Sequence, residues 1–395
     1  MKEKICTGIV MKKIAVVTAT RAEYGLLSPV IKELRKQENN EFRVELIVTG
    51  THLNERYGMT VKEIDDRIDQ CIPISVRSDS EADISVNQAE TLVKFTELFL
   101  QKKYNAVLLL GDRYEIFAIA IAAGNTRTPI FHLCGGDTTE GALDEWIRHS
   151  ITKISYLHFV TNEESKKRVI QLGENPARVF QYGSTSIDNI MHVADISKAE
   201  ALSSVGLKDC KYALCTYHPV TMESGSVDRQ ISEFLEAIRE FPGIEFIVTK
   251  SNADQGGARI NELFDQAESR ISNLHVFTSL GVRRYLSLMK YSEFVLGNSS
   301  SGIIEAPAFH VPTVNIGDRQ RGRAQAESII NCKEEKEFIV KAITLSLTEK
   351  FKERCQNVQS PYGNGDAAEK IAKKVLEVIK NEKIDLKKKF YNVYI

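Results

Sequence analysis

The chain has 395 residues, more than one hydrophobic core ordinarily serves, which predicts two domains of about 150–200 residues each. Its 52 Lys and Arg against 53 Asp and Glu leave a net charge of −1, which excludes both an overall basic field for nucleic acid and the acidic excess of a disordered chain. A charged ligand must therefore be held by a local patch. The longest apolar runs, such as IFAIAIAAG at 116–124, fall short of the roughly 20 residues of a membrane span. The first ten residues read as an upstream extension ahead of Met11, without the apolar core of a signal peptide. Seven cysteines without CxxC spacing read as reduced thiols of a soluble, cytoplasmic protein.

Taken in chain order, short Val/Ile/Leu runs alternate with helical patterns: KIAVVTAT, LLSPVIKELRKQ and FRVELIVTG, then YNAVLLLGD, EIFAIAIAAG and PIFHLCGG. That alternation predicts a doubly wound parallel sheet. A seam at 192–207 precedes a second series, KYALCTYHP, ISEFLEAIREF, EFIVTKSNAD, RRYLSLMKYS, EFVLGNSSSG and PTVNIGDRQ, which predicts a second sheet of the same kind. The expected division is an extension at 1–10, a first domain at 11–188 and a second at 189–365. A C-terminal amphipathic helix and a Lys-rich, solvated tail occupy 366–395, with room for the helix to cross back to the first domain. Phe95, Phe99, Phe117 and Phe234 fit helical core stripes.

Ligands of open parallel sheets bind outside the carboxyl ends of the strands, so polar residues that cut off an apolar run are the candidates. Four such ends follow one another in the first half: TATRAEYG with Arg21, VTGTHLNERYG with His52, LLLGDRYE with Asp112, Arg113 and Glu115, and FHLCGGD with Asp137. The first loop lacks GxGxxG, which disfavours NAD chemistry, and no GxxxxGK[ST] loop is present. A helix over 140–150 would place Glu140 and Asp144 on one face and pair Asp144 with Arg148, either structurally or within a site. His149 reads as packing against Glu145, and His132 and His158 as core or supporting residues.

In the second half, GNSSSGIIEAP opens an expected helix whose backbone N–H groups and Ser299 and Ser300 hydroxyls suit a diphosphate. Glu305, placed about one and a half turns in, is either an acceptor for ribose hydroxyls or a charge favoured by the helix dipole. GDRQRGR at 317–323 adds three arginines, and His218 in TYHPVT is either a turn residue or a donor facing a ligand. No HExxH or clustered Asp/His spacing indicates a metal.

Together, TRAEYG, GDRYEIFA, GGDTTEGALDEWIRHSITK, YHP, SNAD, GNSSSGIIEAP and NIGDRQRGR resemble, in order over residues 11–375, the hydrolysing UDP-N-acetylglucosamine 2-epimerases. The resemblance implies an α/β fold of two Rossmann-like doubly wound domains facing a cleft, of the glycosyltransferase-B type, with UDP on the C-terminal domain. It implies release of UDP and N-acetylmannosamine for sialic acid synthesis without a cofactor or metal, in a homo-oligomer, dimer or tetramer. Close relatives act instead on UDP-2,4-diacetamido-2,4,6-trideoxyhexose, on the way to legionaminic acid. Carried over by position, Arg21, Arg113, Asn252, Ser299, Ser300, Glu305 and Arg319 contact the nucleotide, together with His218. Asp112, Asp137 and Asp144 carry the chemistry, with His52 near the sugar and diphosphate. Where some members have a catalytic glutamate before the Gly-Gly pair, this chain has Cys134, whose thiol is poorly matched to that task. Asp137 or Asp112 is expected to substitute, which leaves base and acid unassigned. A glycosyltransferase on the same fold, or a UDP-sugar sensor, are the competing readings.

Overall fold

The computed structural model describes residues 11–76, 80–139, 143–192, 196–219, 227–251, 256–381 and 383–393. Among these residues the chain forms two compact units. The first comprises residues up to Gly136, Ile147–Thr185 and Asp366 onward; the second comprises Asp137–Trp146 and Ser186–Gly365. The division departs from a single break near 188 in that residues 137–146 group with the second unit. The C-terminal helix groups with the first.

The first unit is built on a parallel sheet of seven described strands, β1 (Lys12–Thr18), β2 (Phe42–Thr49), β3 (Gln70–Ile72), β4 (Ala106–Leu110), β5 (Ile130–Leu133), β6 (Leu157–Val160) and β7 (Val179–Gln181), in the order β3-β2-β1-β4-β5-β6-β7. Because side chains alternate across a strand, the two faces of β1 feed two cores. Ile14 and Val16 join Leu46, Leu108 and Phe131 beneath α1 (Arg21–Arg35) and the C-terminal helix Ala367–Asn381. Ala15 and Val17 join Ile47, Val107 and Leu109 beneath α2 (Glu81–Lys102), α3 (Tyr114–Asn125) and α4 (Asp144–Ile154). Ile371, Val375, Val378 and Ile379 recur at helical spacing and are buried, which is why the last helix returns to this sheet.

Most of the Lys-rich tail is exposed, but it docks at Lys388. Lys388 donates to the carbonyls of Lys153 (2.9 Å) and Ser155 (2.7 Å) and pairs with buried Glu174 (2.6 Å). Tyr391 N–H donates to Gly173 O, and Phe390 lies so close to Gly173 that a Cβ there would stand 2.4 Å from its ring. Sequence alone reads Lys as exposed; here a buried carboxylate and two carbonyls supply acceptors for the ammonium group.

The second unit carries a parallel sheet of six described strands, β8 (Tyr212–Thr216), β9 (Glu245–Thr249), β10 (Leu274–Phe277), β11 (Phe294–Gly297), β12 (Thr313–Ile316) and β13 (Ile329–Cys332), ordered β10-β9-β8-β11-β12-β13. Both sheets begin in the middle and wind outward in both directions, so each has a switch point beside its first strand, between β1 and β4 and between β8 and β11.

Candidate active site

Asp112 stands two residues beyond β4, after a turn at Gly111 with φ +79°. Its Oδ2 accepts from Arg148 Nε at 2.7 Å and from Arg148 Nη2. Arg148 is on α4 and 1% exposed, so its charge requires an anion, and Asp112 supplies one. His132, fully buried on β5, meets Gly111 O through Nε2 at 2.8 Å. Burial pushes its pKa down to about 4, so the ring is neutral at pH 7 with its proton on the nitrogen facing that carbonyl. Two buried groups thus fix the turn and the carboxylate together.

Arg113 caps α3 and donates through Nε to fully buried Glu115 at 3.2 Å. Glu23, in the first turn of α1, closes a capping box with Thr20, its Oε2 accepting from the amides of Ala19 (2.7 Å) and Thr20 (3.2 Å). Burial pushes Glu23 up to about 8, with Glu115 adding and Arg113 opposing. Arg21 is the first residue of the helix so capped.

His52 is 0% exposed, its Nε2 meets Thr18 Oγ1 at 3.1 Å and its Nδ1 meets Thr60 Oγ1 at 2.9 Å. Burial lowers its pKa to about 4. With both nitrogens engaged, it ties β1 to the loop after β2.

Asp137 follows Gly136, whose φ of +83° and a would-be Cβ 2.3 Å from Ser165 O admit only glycine. Asp137 is 7% exposed. The next turn is held by Thr139 N–H donating to Glu145 (2.5 Å) and by Arg323 Nε donating to Thr138 O (3.2 Å). Asp144 is the first residue of α4, and Glu140 lies outside the described residues. Cys134 takes a left-handed φ of +62° as the chain leaves β5.

In the second unit the strand ends converge on Asn298, which sequence reasoning missed. His218 N–H donates to Asn298 Oδ1 (2.7 Å), and Asn298 Nδ2 returns a bond to His218 O (2.8 Å). Asn298 O accepts from Arg319 Nη1 (3.1 Å) and Gln320 Nε2 (2.8 Å). One 1%-exposed amide thus gathers His218, Arg319 and the strand end bearing Ser299 and Ser300. His218 Nδ1 also meets Ser251 Oγ at 3.2 Å; the neighbouring Asn252 lies outside the described residues. Tyr285, also missed, links Thr216 (3.4 Å) to Ser301 (2.6 Å), whose hydroxyl donates to Ser299 Oγ (3.1 Å).

Glu305 stands elsewhere on its helix than expected. The helix runs only Ser300–Ile304, because Pro307 offers no N–H and its ring crowds the carbonyl four residues back. Glu305 is its C-cap, where the helix dipole opposes a carboxylate, so the dipole reading is removed. Burial raises Glu305 to about 7, opposed by its own backbone amide, a Ser186 hydrogen bond and Arg323, and its Oε2 has no hydrogen-bond partner.

A family model described as UDP-N-acetylglucosamine 2-epimerase matches residues 32–376. The chain belongs to that family. It is 39% identical over 387 residues to the Escherichia coli polysialic acid biosynthesis protein P7, covering 97% of this chain and 98% of that protein. It is 38% identical over 324 residues to the GDP/UDP-N,N'-diacetylbacillosamine 2-epimerase (hydrolyzing) of Campylobacter jejuni, covering 81% and 84%. Its fold matches the UDP-GlcNAc 2-epimerase of Neisseria meningitidis bound to UDP-GlcNAc with a TM-score of 0.80 at 22% identity, covering 92% of this chain and all of that one. The chain is a UDP-sugar 2-epimerase on two Rossmann-like units. No helix among the described residues is long and apolar enough to cross a membrane.

Proposed function

We propose that this epimerase is of the hydrolysing type and converts UDP-N-acetylglucosamine and water to N-acetylmannosamine and UDP. The observation that carries the substrate is the near full-length likeness to a polysialic acid protein, since N-acetylmannosamine leads to sialic acid. In this reaction the C2–H bond breaks and its electron pair becomes the C1–C2 double bond as the C1–O bond to UDP breaks. Water then adds to the resulting 2-acetamidoglycal, oxygen to C1 and a proton to C2 from the opposite face.

Asp112 takes the C2 proton through Oδ1, since Arg148 engages Oδ2. Asp137 and Asp144 return the proton and orient the water, Asp137 filling the role that Cys134 vacates. His218, its Nδ1 against Ser251, turns Nε2 to the departing diphosphate, with Arg21, Arg113, Arg319, Ser299 and Ser300 balancing its charge. Glu305 accepts the ribose hydroxyls, and Asn252 completes the nucleotide contacts. No cofactor or metal takes part. The working form is a cytoplasmic homo-oligomer, a location that fits six described cysteines with free thiols.

The likeness to the Campylobacter jejuni enzyme favours a second reading, the same reaction on UDP-2,4-diacetamido-2,4,6-trideoxyhexose. Incubation with each nucleotide sugar in D2O, followed by proton NMR, tests both. Free UDP with N-acetylmannosamine deuterated at C2 supports the first reading. Turnover confined to the diacetamido sugar replaces it with the second, and UDP release only in the presence of an acceptor points to a glycosyltransferase.

A further inference from the structure

The segment that carries Asp137 groups not with the sheet it leaves but with the second unit. Arg323 provides a contact that holds it there, its Nε–H donating to Thr138 O at 3.2 Å across 185 residues of sequence. Arg323 itself sits on a fixed backbone. Tyr362 is fully buried beside Ile187 and Ile303, and its hydroxyl donates to the carbonyl of the next residue, Ala324, at 2.8 Å. On the other side Arg323 N–H donates to Gln320 O at 3.3 Å. Gln320 is 0% exposed and anchored to Asn298 O, the atom that also receives Arg319.

Two site carboxylates share this neighbourhood. Burial raises the pKa of the Tyr362 hydroxyl; the Asp137 charge also raises it, Arg323 lowers it and Glu305 raises it, so the three charged groups lie within electrostatic reach of one phenol. A guanidinium suits the position because it aims a fixed N–H at the Thr138 carbonyl, which an ammonium group does not reproduce, while its charge acts on Glu305 from a distance.

We propose that Arg323 is a positioning residue, fastening the Asp137 loop to the Asn298-centred frame that also holds His218 and Arg319. The inference rests on the proposed function, in which Asp137 acts on the sugar. Through this chain of bonds the nucleotide-contacting loop 317–323 and the Asp137 loop share one support, so the carboxylate is set relative to the nucleotide and not only to its own strand.

The test is kinetic. Arg323→Ala is expected to lower kcat about 10- to 100-fold, the usual penalty for a misplaced catalytic group, while UDP affinity by calorimetry at about pH 9, where Glu305 is ionised with or without the Arg323 charge, stays within about twofold. Arg323 lines a cavity of about 780 Å³, so free guanidinium ion has access to the vacated space and is expected to restore part of kcat. Arg323→Lys, which keeps the charge but loses the directed Nε–H, should remain impaired; it decides the matter if the alanine variant does not fold. Full kcat in the lysine variant, or a loss confined to UDP affinity, overturns the inference. Wild-type protein in the same assay separates the two readings. If it releases UDP normally and Arg323→Ala does too, only the role of Arg323 falls; if wild type is inert on both nucleotide sugars, the proposed function falls with it.

Discussion

At the scale of single residues, the strongest geometric statement concerns Asp112, because its surroundings admit little else. Buried Arg148 holds one oxygen and neutral His132 holds the preceding carbonyl. Asp112→Asn is expected to abolish turnover while UDP affinity stays within about twofold. The amide still offers Arg148 an acceptor, so the cost in stability should be about 1–3 kcal/mol. Near-normal turnover would remove Asp112 from the mechanism. Glu305 gives a pH prediction. Its carboxyl titrates near 7, and only the ionised form accepts two hydroxyls, so UDP affinity should weaken as pH falls from about 8 to 6. Glu305→Gln should bind UDP more weakly and lose that part of the slope that UDP's own titration does not explain; an unchanged slope by calorimetry counts against the ribose contact. The polar ends of the apolar runs were visible in the sequence, because a charge that stops a Val/Ile/Leu run has few structural excuses. Asn298 was not, since its partners His218 and Arg319 lie 80 and 21 residues away and an Asn after a strand ordinarily reads as a turn. The enclosure of His52 by Thr18 and Thr60 was not legible either, since Thr18 lies 34 residues away.

At the scale of elements, the C-terminal tail departs furthest from its sequence. KNEKIDLKKKF has the composition of a solvated end, yet Lys388 and Lys153 converge on Glu174 beside fully buried His158. Burial works against the Glu174 carboxylate, but hydrogen bonds from His158, Lys153 and Lys388 outweigh it and bring its pKa down to about 2. Since the folded pKa lies below the unfolded value of about 4.3, this stabilisation is present above about pH 4.3 and is lost as pH falls towards 2. Lys388→Ala removes three acceptors' common donor and should lower stability by about 1–3 kcal/mol near pH 7, a fall in Tm of several degrees. The deficit should shrink as pH drops below about 4, and UDP affinity should not change. A Tm equal to wild type would return the tail to the solvated reading. The helix cut short before Glu305 is the other element misjudged, although Pro307 was there to be weighed.

At the scale of the whole molecule, two doubly wound sheets were legible because strand and helix periods alternate cleanly, and buried parallel strands read as unbroken apolar runs. The short outer strands were harder to see: β3, β7 and β13 are three or four residues long and half exposed, and β6 has a histidine at its centre. The assignment of residues 137–146 to the second unit was not legible at all, since it depends on contacts formed after both sheets exist. In the proposed reaction a departing diphosphate needs compensation, and a protein of net charge −1 can supply it only locally or through a divalent ion. Here Arg319 is bonded into the Asn298 frame and Arg113 into Glu115, so the cations are held in place before substrate arrives. Among the described residues no three His, Cys, Asp or Glu side chains gather as metal ligands, and the carboxylates Asp112 and Glu115 are engaged by arginines. Turnover should therefore survive prolonged treatment with EDTA, while KM should rise with salt as the exposed part of the arginine field is screened. Activity lost to the chelator and restored by a divalent ion would mean that the arginines position the diphosphate without neutralising it, and that the ion carries the charge.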